Sequence, residues 1–164
     1  MTSATNSGKA RIRSDYSYFL SYRTRWSDND QYGHINNALY YHFFDSIINA
    51  YLVEHCGQNP TSSPLIGLVV SSSCTFFSPL SFPAVLDLGL RVTKLGKRSA
   101  TYEVGVFEEG KSQPSAVGGY THVFVDSATR KSVAMDSAGS ALRVGLEKLL
   151  ESTSPKPPFT SAKL

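Results

Sequence analysis

The segment ALYYHFFDSIINAYLVEH, residues 38–55, has the spacing of a long helix with little polar surface. Large apolar side chains recur at steps of three and four residues, which is the period of an α-helix. They are Tyr40, Phe43, Phe44, Ile47, Ile48, Tyr51 and Leu52. Only one narrow polar row remains, formed by His42, Asp45 and Asn49. The pattern therefore predicts a helix that is buried on several sides.

The segments around this helix have the pattern of β-strands, in which bulky and polar residues alternate. One precedes the helix at residues 16–26, and four follow it at residues 66–77, 84–95, 100–110 and 115–126. A last amphipathic segment, near residues 139–151, predicts a short second helix. The links between strands are short, which favours antiparallel pairing. The predicted fold class is α+β, with a curved antiparallel sheet of about five strands wrapped around one long central helix.

Length and composition place these elements in one folded domain. The chain has 164 residues, enough to bury a substantial core, and 41% of them are hydrophobic. This composition argues against an intrinsically disordered chain. No apolar run approaches the roughly 18 to 20 residues that a helix needs to cross a bilayer, so no membrane span is expected.

The net charge of +3 comes from the two ends of the chain. Residues 1–14 contain three basic and no acidic residues, and residues 152–164 contain two basic and no acidic ones, which leaves 11 basic against 13 acidic residues between them. A near-neutral body is not typical of a nucleic-acid-binding domain, so no such partner is expected. The sequence predicts a flexible basic leader at 1–14, a folded domain at 15–151 and a flexible tail at 152–164.

The segment RWSDNDQYGHINN, residues 25–37, places several polar side chains directly before the predicted helix. Two aspartates stand two residues apart, and a Gly-His pair follows within four residues of the second. Asn36 or Asn37 is a candidate N-cap for the helix, since a side-chain amide oxygen accepts a hydrogen bond from an unpaired N–H group there. The crowding of these residues at one helix entry marks the candidate functional turn.

The pattern D-x-D-x-x-G-H-x-N, residues 28–36, followed by Tyr40 in an apolar helix, resembles the hotdog-fold acyl-CoA thioesterases of the 4-hydroxybenzoyl-CoA thioesterase type. Residues 76–104 also resemble that family's Pro-containing turn, strand, Gly-basic-Ser link and strand. The resemblance covers roughly residues 22–143. It implies the hotdog fold and hydrolysis of a fatty or aromatic acyl-CoA, with no cofactor beyond the substrate's own CoA. It also implies a homodimer or homotetramer that pairs through sheet edges.

The chemistry of this reaction needs a nucleophile or a base that activates water, and donors for the oxyanion of the carbonyl. The resemblance places the catalytic carboxylate at Asp30, as base or as nucleophile, and the oxyanion donor at the backbone N–H of Asn37. His34 would orient the substrate carbonyl or Asp30, or would simply fill the helix entry. Gly33 would let the backbone come close to the substrate, and Tyr40 is a further substrate-binding candidate.

Other polar residues leave two interpretations open. Asp28 either caps a turn and pairs with a neighbouring arginine, or takes part in catalysis. Asp45 is either a second active-site acid or the anchor of a buried polar pair across a subunit interface. Lys97 and Arg98 either bind the phosphates of CoA or are solvated turn residues. No metal is expected, because two aspartates with a single nearby histidine are too sparse a ligand set.

The last three residues, Ala162, Lys163 and Leu164, resemble the Ser-Lys-Leu address for peroxisomal import. They follow a segment rich in proline, serine and threonine, which would present the carboxyl terminus to a receptor. The sequence therefore predicts a peroxisomal import receptor as partner and the peroxisome as location. The cytoplasm is one alternative. The mitochondrion is another, because the N-terminus is basic and free of acidic residues, although it has no apolar face.

Two other functions fit the same fold. A hotdog-fold enoyl-CoA hydratase or dehydratase would use a histidine together with an aspartate or glutamate. A non-catalytic acyl-CoA-binding protein would keep the cavity without the chemistry. Cys56 and Cys74 form no CxxC motif, and free thiols are expected for both.

Overall fold

The computed structural model describes residues 8–138 and 141–152. Within them, five strands form an antiparallel sheet with the spatial order β1-β3-β4-β5-β2. The strands are β1 Tyr18–Arg23, β2 Leu65–Phe76, β3 Val85–Leu95, β4 Ser99–Glu108 and β5 Ala116–Asp126. Helix α1, Leu39–His55, lies between β1 and β2 along the chain, and helix α2, Ala141–Ser152, follows β5. The predicted plan of a five-stranded antiparallel sheet around one long helix is confirmed.

Helix α1 packs against one face of the sheet and supplies much of the core. All seven apolar side chains predicted from the spacing are buried. The close approach of helix and sheet depends on Gly118 of β5, where a Cβ atom would lie 2.7 Å from Cζ of Phe44 and 2.3 Å from the carbonyl oxygen of Ser73. The polar row of the helix is exposed in this chain. The helical spacing therefore predicted correctly which side chains enter the core.

Helix α2 covers the C-terminal end of α1. The hydroxyl of Tyr51 donates a hydrogen bond of 2.8 Å to the carbonyl oxygen of Gly145. A Cβ atom on Gly145 would lie 2.5 Å from Sγ of Cys56, so only glycine allows this contact between the helices. No helix among the described residues is long and apolar enough to cross a bilayer.

The first strand is shorter than the predicted range of 16–26. It ends at Arg23, and the chain then makes a short 3-10 turn at Trp26–Asp28. Thr24 still accepts a 2.8 Å hydrogen bond at its hydroxyl from the N–H of Ala84, the residue before β3, but Trp26 is 83% exposed. The predicted strand was too long because bulky and polar residues continue to alternate after Arg23. A turn can have the same alternation without pairing with a neighbouring strand.

Part of the predicted flexible leader contacts the outer face of the sheet, the face opposite α1. Arg11 forms an ion pair with Glu103 of β4 at 2.9 Å, and Arg13 pairs with Asp87 of β3. Tyr16 is buried beside Gly89 and Gly105, where any Cβ atom would overlap its ring. The sequence did not reveal these contacts, because their acidic partners lie more than seventy residues further along the chain. Residues 1–7 and the tail at 153–164, with the predicted import tripeptide, lie outside the described residues.

The two ends of the sheet are distinct. At one end, called here the helix-entry end, β1 finishes opposite Val85 and β2 finishes opposite Ala116. The turn between β3 and β4, residues 96–98, lies at the opposite end. Because a strand rises by about 3.3 Å per residue, the length of β3 separates the two ends by roughly 30 Å.

Candidate active site

Asp28, the first aspartate of the turn, is fully buried and pairs with its neighbour Arg25. One carboxylate oxygen accepts the Arg25 backbone N–H at 2.8 Å, and the other accepts its Nε at 3.0 Å. The hydroxyl of Tyr22 also donates to this carboxylate, at 3.3 Å, and the Asn36 N–H donates to the Asp28 carbonyl oxygen at 2.9 Å. Both oxygens of Asp28 are therefore occupied in closing the turn, as the structural interpretation of this residue expects.

Asp30, the second aspartate, is half-buried and keeps one oxygen available. Its Oδ1 accepts the backbone N–H groups of Tyr32 at 2.8 Å and of His34 at 3.3 Å. Its own N–H donates to the carbonyl oxygen of His34 at 2.7 Å, which closes the turn. Oδ2 accepts no hydrogen bond from the part of the chain that the structure describes. The carboxylate is thus held from one side and open for chemistry on the other.

Gly33 gives the turn its shape. Its φ of 78° lies in the left-handed region that side-chain-bearing residues disfavour. No heavy atom lies within 4 Å of the position that a Cβ would take, so the glycine is required by the backbone rather than by contacts within this chain. The hydroxyl of Ser81 donates to the Gly33 carbonyl oxygen at 2.7 Å and joins the turn to the loop that follows β2. The sequence did not indicate this joint, since the two loops are nearly fifty residues apart.

The helix entry follows directly. Asn36 and Asn37 both precede the helix, but neither is its N-cap as predicted, because the helix begins at Leu39 with Ala38 at the N-cap and no capping hydrogen bond from a side chain. Oδ1 of Asn36 accepts the N–H of Ala38 at 3.0 Å and stabilises the turn that leads into α1. Asn37 stands just before the first turn of α1, and its backbone N–H donates no hydrogen bond within the described residues. An unpaired N–H at a helix N-terminus, where the helix dipole is positive, is suited to stabilise an oxyanion.

A cavity of about 320 Å³ opens beside this helix entry. It is lined by His34, Ile35, Asn37, Tyr40 and residues 76–80. The structure therefore brings His34, Asn37 and Tyr40 to one cavity, while Asp30 and Gly33 lie on the turn that adjoins it. Its volume is that of a site for a small organic group, at the lower end of the range for ligand pockets.

Three titratable groups near α1 are neutral at pH 7, and one of them, Tyr40, lines this cavity. Burial and the nearby Cys74 raise the pKa of Tyr40 to about 12. Burial raises the pKa of the Cys74 thiol to about 12 as well, and that of Cys56 likewise. A thiol with so high a pKa is a poor nucleophile at neutral pH. This leaves Asp30 as the strongest candidate for the reacting group at the helix entry.

Lys97 and Arg98 do not reach this site within one chain. Both are exposed in the turn between β3 and β4, at the sheet end opposite the helix entry. A contact with a ligand at Asp30 would need to span roughly 30 Å along the sheet. Sequence position alone could not reveal this separation, because it follows from the antiparallel order of the strands.

Asp45 faces residues of β5 that sequence reasoning did not single out. Burial raises the pKa of Tyr120 far above its usual range, and the Asp45 carboxylate raises it further. The two groups are close enough for this effect, but they fall outside strict hydrogen-bond geometry, since the Tyr120 hydroxyl has no partner among the described residues. His122, the next inward-facing residue of β5, lies beside them. The sequence gives little indication of this contact with Asp45, because Tyr120 and His122 occur in the alternating pattern of an ordinary strand.

Comparison with known proteins relates these features to a family. A family model described as Thioesterase superfamily matches residues 32–115, just over half of the chain. Among solved structures, the PA5185 protein of Pseudomonas aeruginosa strain PAO1 is 44% identical, over 85% of this chain and 95% of its own, with a TM-score of 0.81. No curated protein gives a match.

Two further solved structures are named for their reactions. The DHNA-CoA thioesterase of Staphylococcus aureus has 16% identity and a TM-score of 0.71, over 79% of this chain and 88% of its own. The 1,4-dihydroxy-2-naphthoyl-CoA thioesterase of Synechocystis has 15% identity and a TM-score of 0.66, over 77% of this chain and 95% of its own. At these identities the likeness is one of fold.

Proposed function

Since this chain belongs to the thioesterase superfamily, a family of thioester hydrolases, we propose that it hydrolyses a fatty or aromatic acyl-CoA to the free acid and CoA. One observation carries the proposal. The turn that holds the Asp30 carboxylate leads, within seven residues, to the unpaired N–H of Asn37 at the entry of a helix, beside a cavity large enough for an acyl group. A carboxylate and an oxyanion donor are the two parts that thioester hydrolysis needs.

The open oxygen of Asp30 can serve in two ways. As a base, it takes a proton from water while the water oxygen bonds to the thioester carbon, and the C–S bond then breaks to release CoA. As a nucleophile, it bonds to that carbon itself and releases CoA, and water then cleaves the mixed anhydride. In both routes the negative charge on the carbonyl oxygen is stabilised by the N–H of Asn37. His34 lies at the cavity and can orient the carbonyl.

The acyl group would lie beside α1. Tyr40, Phe76 and Leu80 give the helix-entry cavity an apolar wall, and burying apolar surface there contributes to binding. Gly33 and its open surroundings allow the substrate to approach the backbone of the turn.

The proposal includes a homodimer or a homotetramer built from such dimers. Strand β2 is an edge of the sheet, and Leu68, Val69 and Val70 of this strand are 38%, 49% and 60% exposed. An apolar edge strand of this length favours pairing with another strand. If two copies pair through β2 in antiparallel fashion, the turn with Lys97 and Arg98 of one copy lies at the same end as the helix entry of the other. Those two cations could then bind CoA phosphates, and light scattering would measure the assembly.

For location, the proposal rests on the C-terminal tripeptide Ala162, Lys163 and Leu164 alone. A fluorescent protein fused to residues 152–164 should enter peroxisomes, and the same fusion without Leu164 should stay in the cytosol. Cytosolic fluorescence of the complete fusion would remove the peroxisome from the proposal without affecting the chemistry.

The reaction itself is tested with a panel of acyl-CoAs and a thiol reagent that detects released CoA. Saturated, aromatic and enoyl substrates in one panel distinguish hydrolysis from hydration. Turnover of enoyl-CoA without thiol release would support a hydratase, and binding without turnover would support a non-catalytic protein.

The oxyanion donor has a sharper test, because proline lacks a backbone N–H. The variant Asn37→Pro should lower kcat by about 100-fold, the usual effect of removing one such donor. The matched control Asn37→Ala keeps the N–H and should stay within a few-fold of the unmodified protein. Equal effects of the two variants on kcat, with folding verified by circular dichroism, would show that the N–H of Asn37 is not the oxyanion donor.

A further inference from the structure

Three buried polar atoms on the sheet face below α1 have no hydrogen-bond partner among the described residues. They are the hydroxyl oxygens of Tyr102 and Tyr120 and Nδ1 of His122. The three side chains are only 3% to 4% exposed, and their rings touch, with centroids of Tyr120 and His122 4.7 Å apart. Buried polar groups are normally hydrogen-bonded. Of the three side chains, His122 lines a cavity, so a group that enters this cavity can lie beside its imidazole.

The imidazole of His122 lines a cavity of about 190 Å³ between α1, β2 and the loop that follows α1. The walls are mainly apolar, with Leu52, Val53 and Ile66 among them, and Asn49 is one of the polar residues. Gly67 also lines the cavity, and a Cβ atom there would lie 2.5 Å from Nδ1 of His122. The glycine thus leaves room for the imidazole next to the cavity. The volume is below that of pockets that hold whole ligands, so the cavity fits one end of a molecule.

This His122 cavity lies further along α1 than the helix entry. Tyr41, Asp45 and Asn49 follow at steps of four residues in the helix, so each lies next to the following one on its surface. Asn37 lines the first cavity and Asn49 lines the His122 cavity. The helix runs ten residues from its start at Leu39 to Asn49, which at 1.5 Å per residue separates the two by about 15 Å. Tyr41, Asp45 and Asn49 are exposed in this chain, so an extended acyl chain can lie along them.

Charge decides what can enter the His122 cavity. Burial lowers the pKa of His122 to about 4, and the opposing effect of the Asp45 carboxylate is smaller, so the imidazole is neutral at pH 7. A carboxylate or phosphate would find no cation there and would be repelled by Asp45. A methyl group would leave Nδ1 unpaired. A neutral group that hydrogen-bonds satisfies the buried nitrogen without adding charge.

We propose that the His122 cavity binds the distal end of the acyl group and selects a hydroxyl or keto group over a methyl group or a carboxylate. This inference rests on the proposed function, since it assigns the substrate class of the same site. His122 is the specificity-determining residue, and Gly67 provides its space.

The test compares three acyl-CoAs of equal length, palmitoyl-CoA, ω-hydroxypalmitoyl-CoA and the matching ω-carboxyacyl-CoA, by kcat/KM for thiol release. The hydroxylated substrate should be favoured about tenfold over palmitoyl-CoA, the effect of one net hydrogen bond, and the carboxylated substrate should be the poorest. The variant His122→Leu should fold, because it replaces an unpaired polar group with an apolar one. It should lose the tenfold preference for the hydroxylated substrate over palmitoyl-CoA.

His55→Leu is the matched control. This histidine ends α1, packs on Tyr51 and does not line the cavity, so its variant should keep the preference. Equal kcat/KM values for palmitoyl-CoA and its ω-hydroxy form would overturn the inference and leave the proposed hydrolysis standing.

Calorimetric binding of ω-hydroxypalmitate and palmitate supplies a reading that needs no turnover. About tenfold tighter binding of the hydroxy acid, lost in His122→Leu, supports the cavity even if no acyl-CoA is hydrolysed, in which case only the proposed function fails. Equal binding of the two acids overturns the inference, and the cavity then holds water only.

Discussion

The turns at Asp30 and at Asp126 have nearly the same geometry and lie at opposite ends of the sheet. In each, Oδ1 of the aspartate accepts a backbone N–H two residues on, at 2.8 Å for Asp30 and 3.2 Å for Asp126. In each, the aspartate N–H closes the turn on a later carbonyl oxygen, at 2.7 Å and 2.9 Å. Each turn also contains a left-handed residue, Gly33 with a φ of 78° and Arg130 with a φ of 59°.

The two turns differ in what surrounds the carboxylate. Asp126 accepts a further hydrogen bond from the Thr129 hydroxyl at 2.8 Å, and the chain after the turn forms an isolated β-bridge from Ser132 to Val125. The turn at Asp30 leads instead into a helix, beside a cavity and the unpaired N–H of Asn37. An aspartate that caps its own turn is therefore common turn chemistry. What makes one of these turns a candidate active site is the helix entry that it adjoins.

The largest expected effect separates the two turns by activity. Asp30→Asn should lower kcat by at least about 100-fold, because an amide cannot act as base or nucleophile. Asn keeps the Oδ1 acceptor, so the turn should stay folded. Asp126→Asn makes the same change in the matching turn and should alter kcat by less than about threefold. Thiol release measures both, and near-normal activity of Asp30→Asn would contradict the assignment of the reacting carboxylate.

The next effect concerns backbone strain at the left-handed residue of each turn. Substitution of that residue should change the free energy of unfolding in opposite directions in the two turns. Gly33→Ala should reduce the free energy of unfolding by about 1 to 2 kcal/mol, the cost of a left-handed conformation for an L-residue. Arg130→Gly removes that cost at its position, but glycine gains freedom in the unfolded chain, so stability should rise by less than about 1 kcal/mol. Urea unfolding measures both changes.

No loss of stability in Gly33→Ala would mean that the turn can relax to a negative φ. In that case the position of the Asp30 carboxylate would not depend on the glycine. Lower stability of Arg130→Gly would mean that the arginine side chain stabilises its turn by more than the strain costs.

Local patterns in the sequence determine some parts of the fold, and contacts between distant residues determine others. The long helix and the strands could be predicted, because their period is local and repeats over many residues. The end of β1 could not, since Trp26 continues the alternation after the ladder has stopped at Arg23. The contact of Arg11 with Glu103 and the joint between Ser81 and Gly33 are long-range and leave no local pattern.

The candidate site shows the same limit. The turn with Asp30 was found because its residues are consecutive, and the resemblance to a family gave them roles. The placement of Lys97 and Arg98 at the far sheet end depends on strand order, which a motif does not contain. The lack of hydrogen-bond partners at Tyr120 and His122 could not be predicted either, because it depends on what packs against β5. Tyrosine and histidine themselves occur in many buried strands.

The smallest expected effect is a pH dependence of stability that belongs to the turn at Asp126. The backbone N–H and the hydroxyl of Thr129, with the N–H of Ala128, hold the pKa of the Asp126 carboxyl below its usual range. A carboxyl group with a lowered folded-state pKa stabilises the protein above its unfolded pKa, about 3.9, and this contribution is lost as the pH falls through the folded value. Asp126→Asn should therefore unfold more easily than the unmodified protein at pH 7, and the difference should shrink below about pH 4 as the native carboxyl is protonated. Urea unfolding at several pH values gives the difference directly. A difference that stays constant down to pH 2 would show that the charge of Asp126 does not stabilise its turn. The geometry that the turns at Asp126 and Asp30 share would then depend on hydrogen bonding alone.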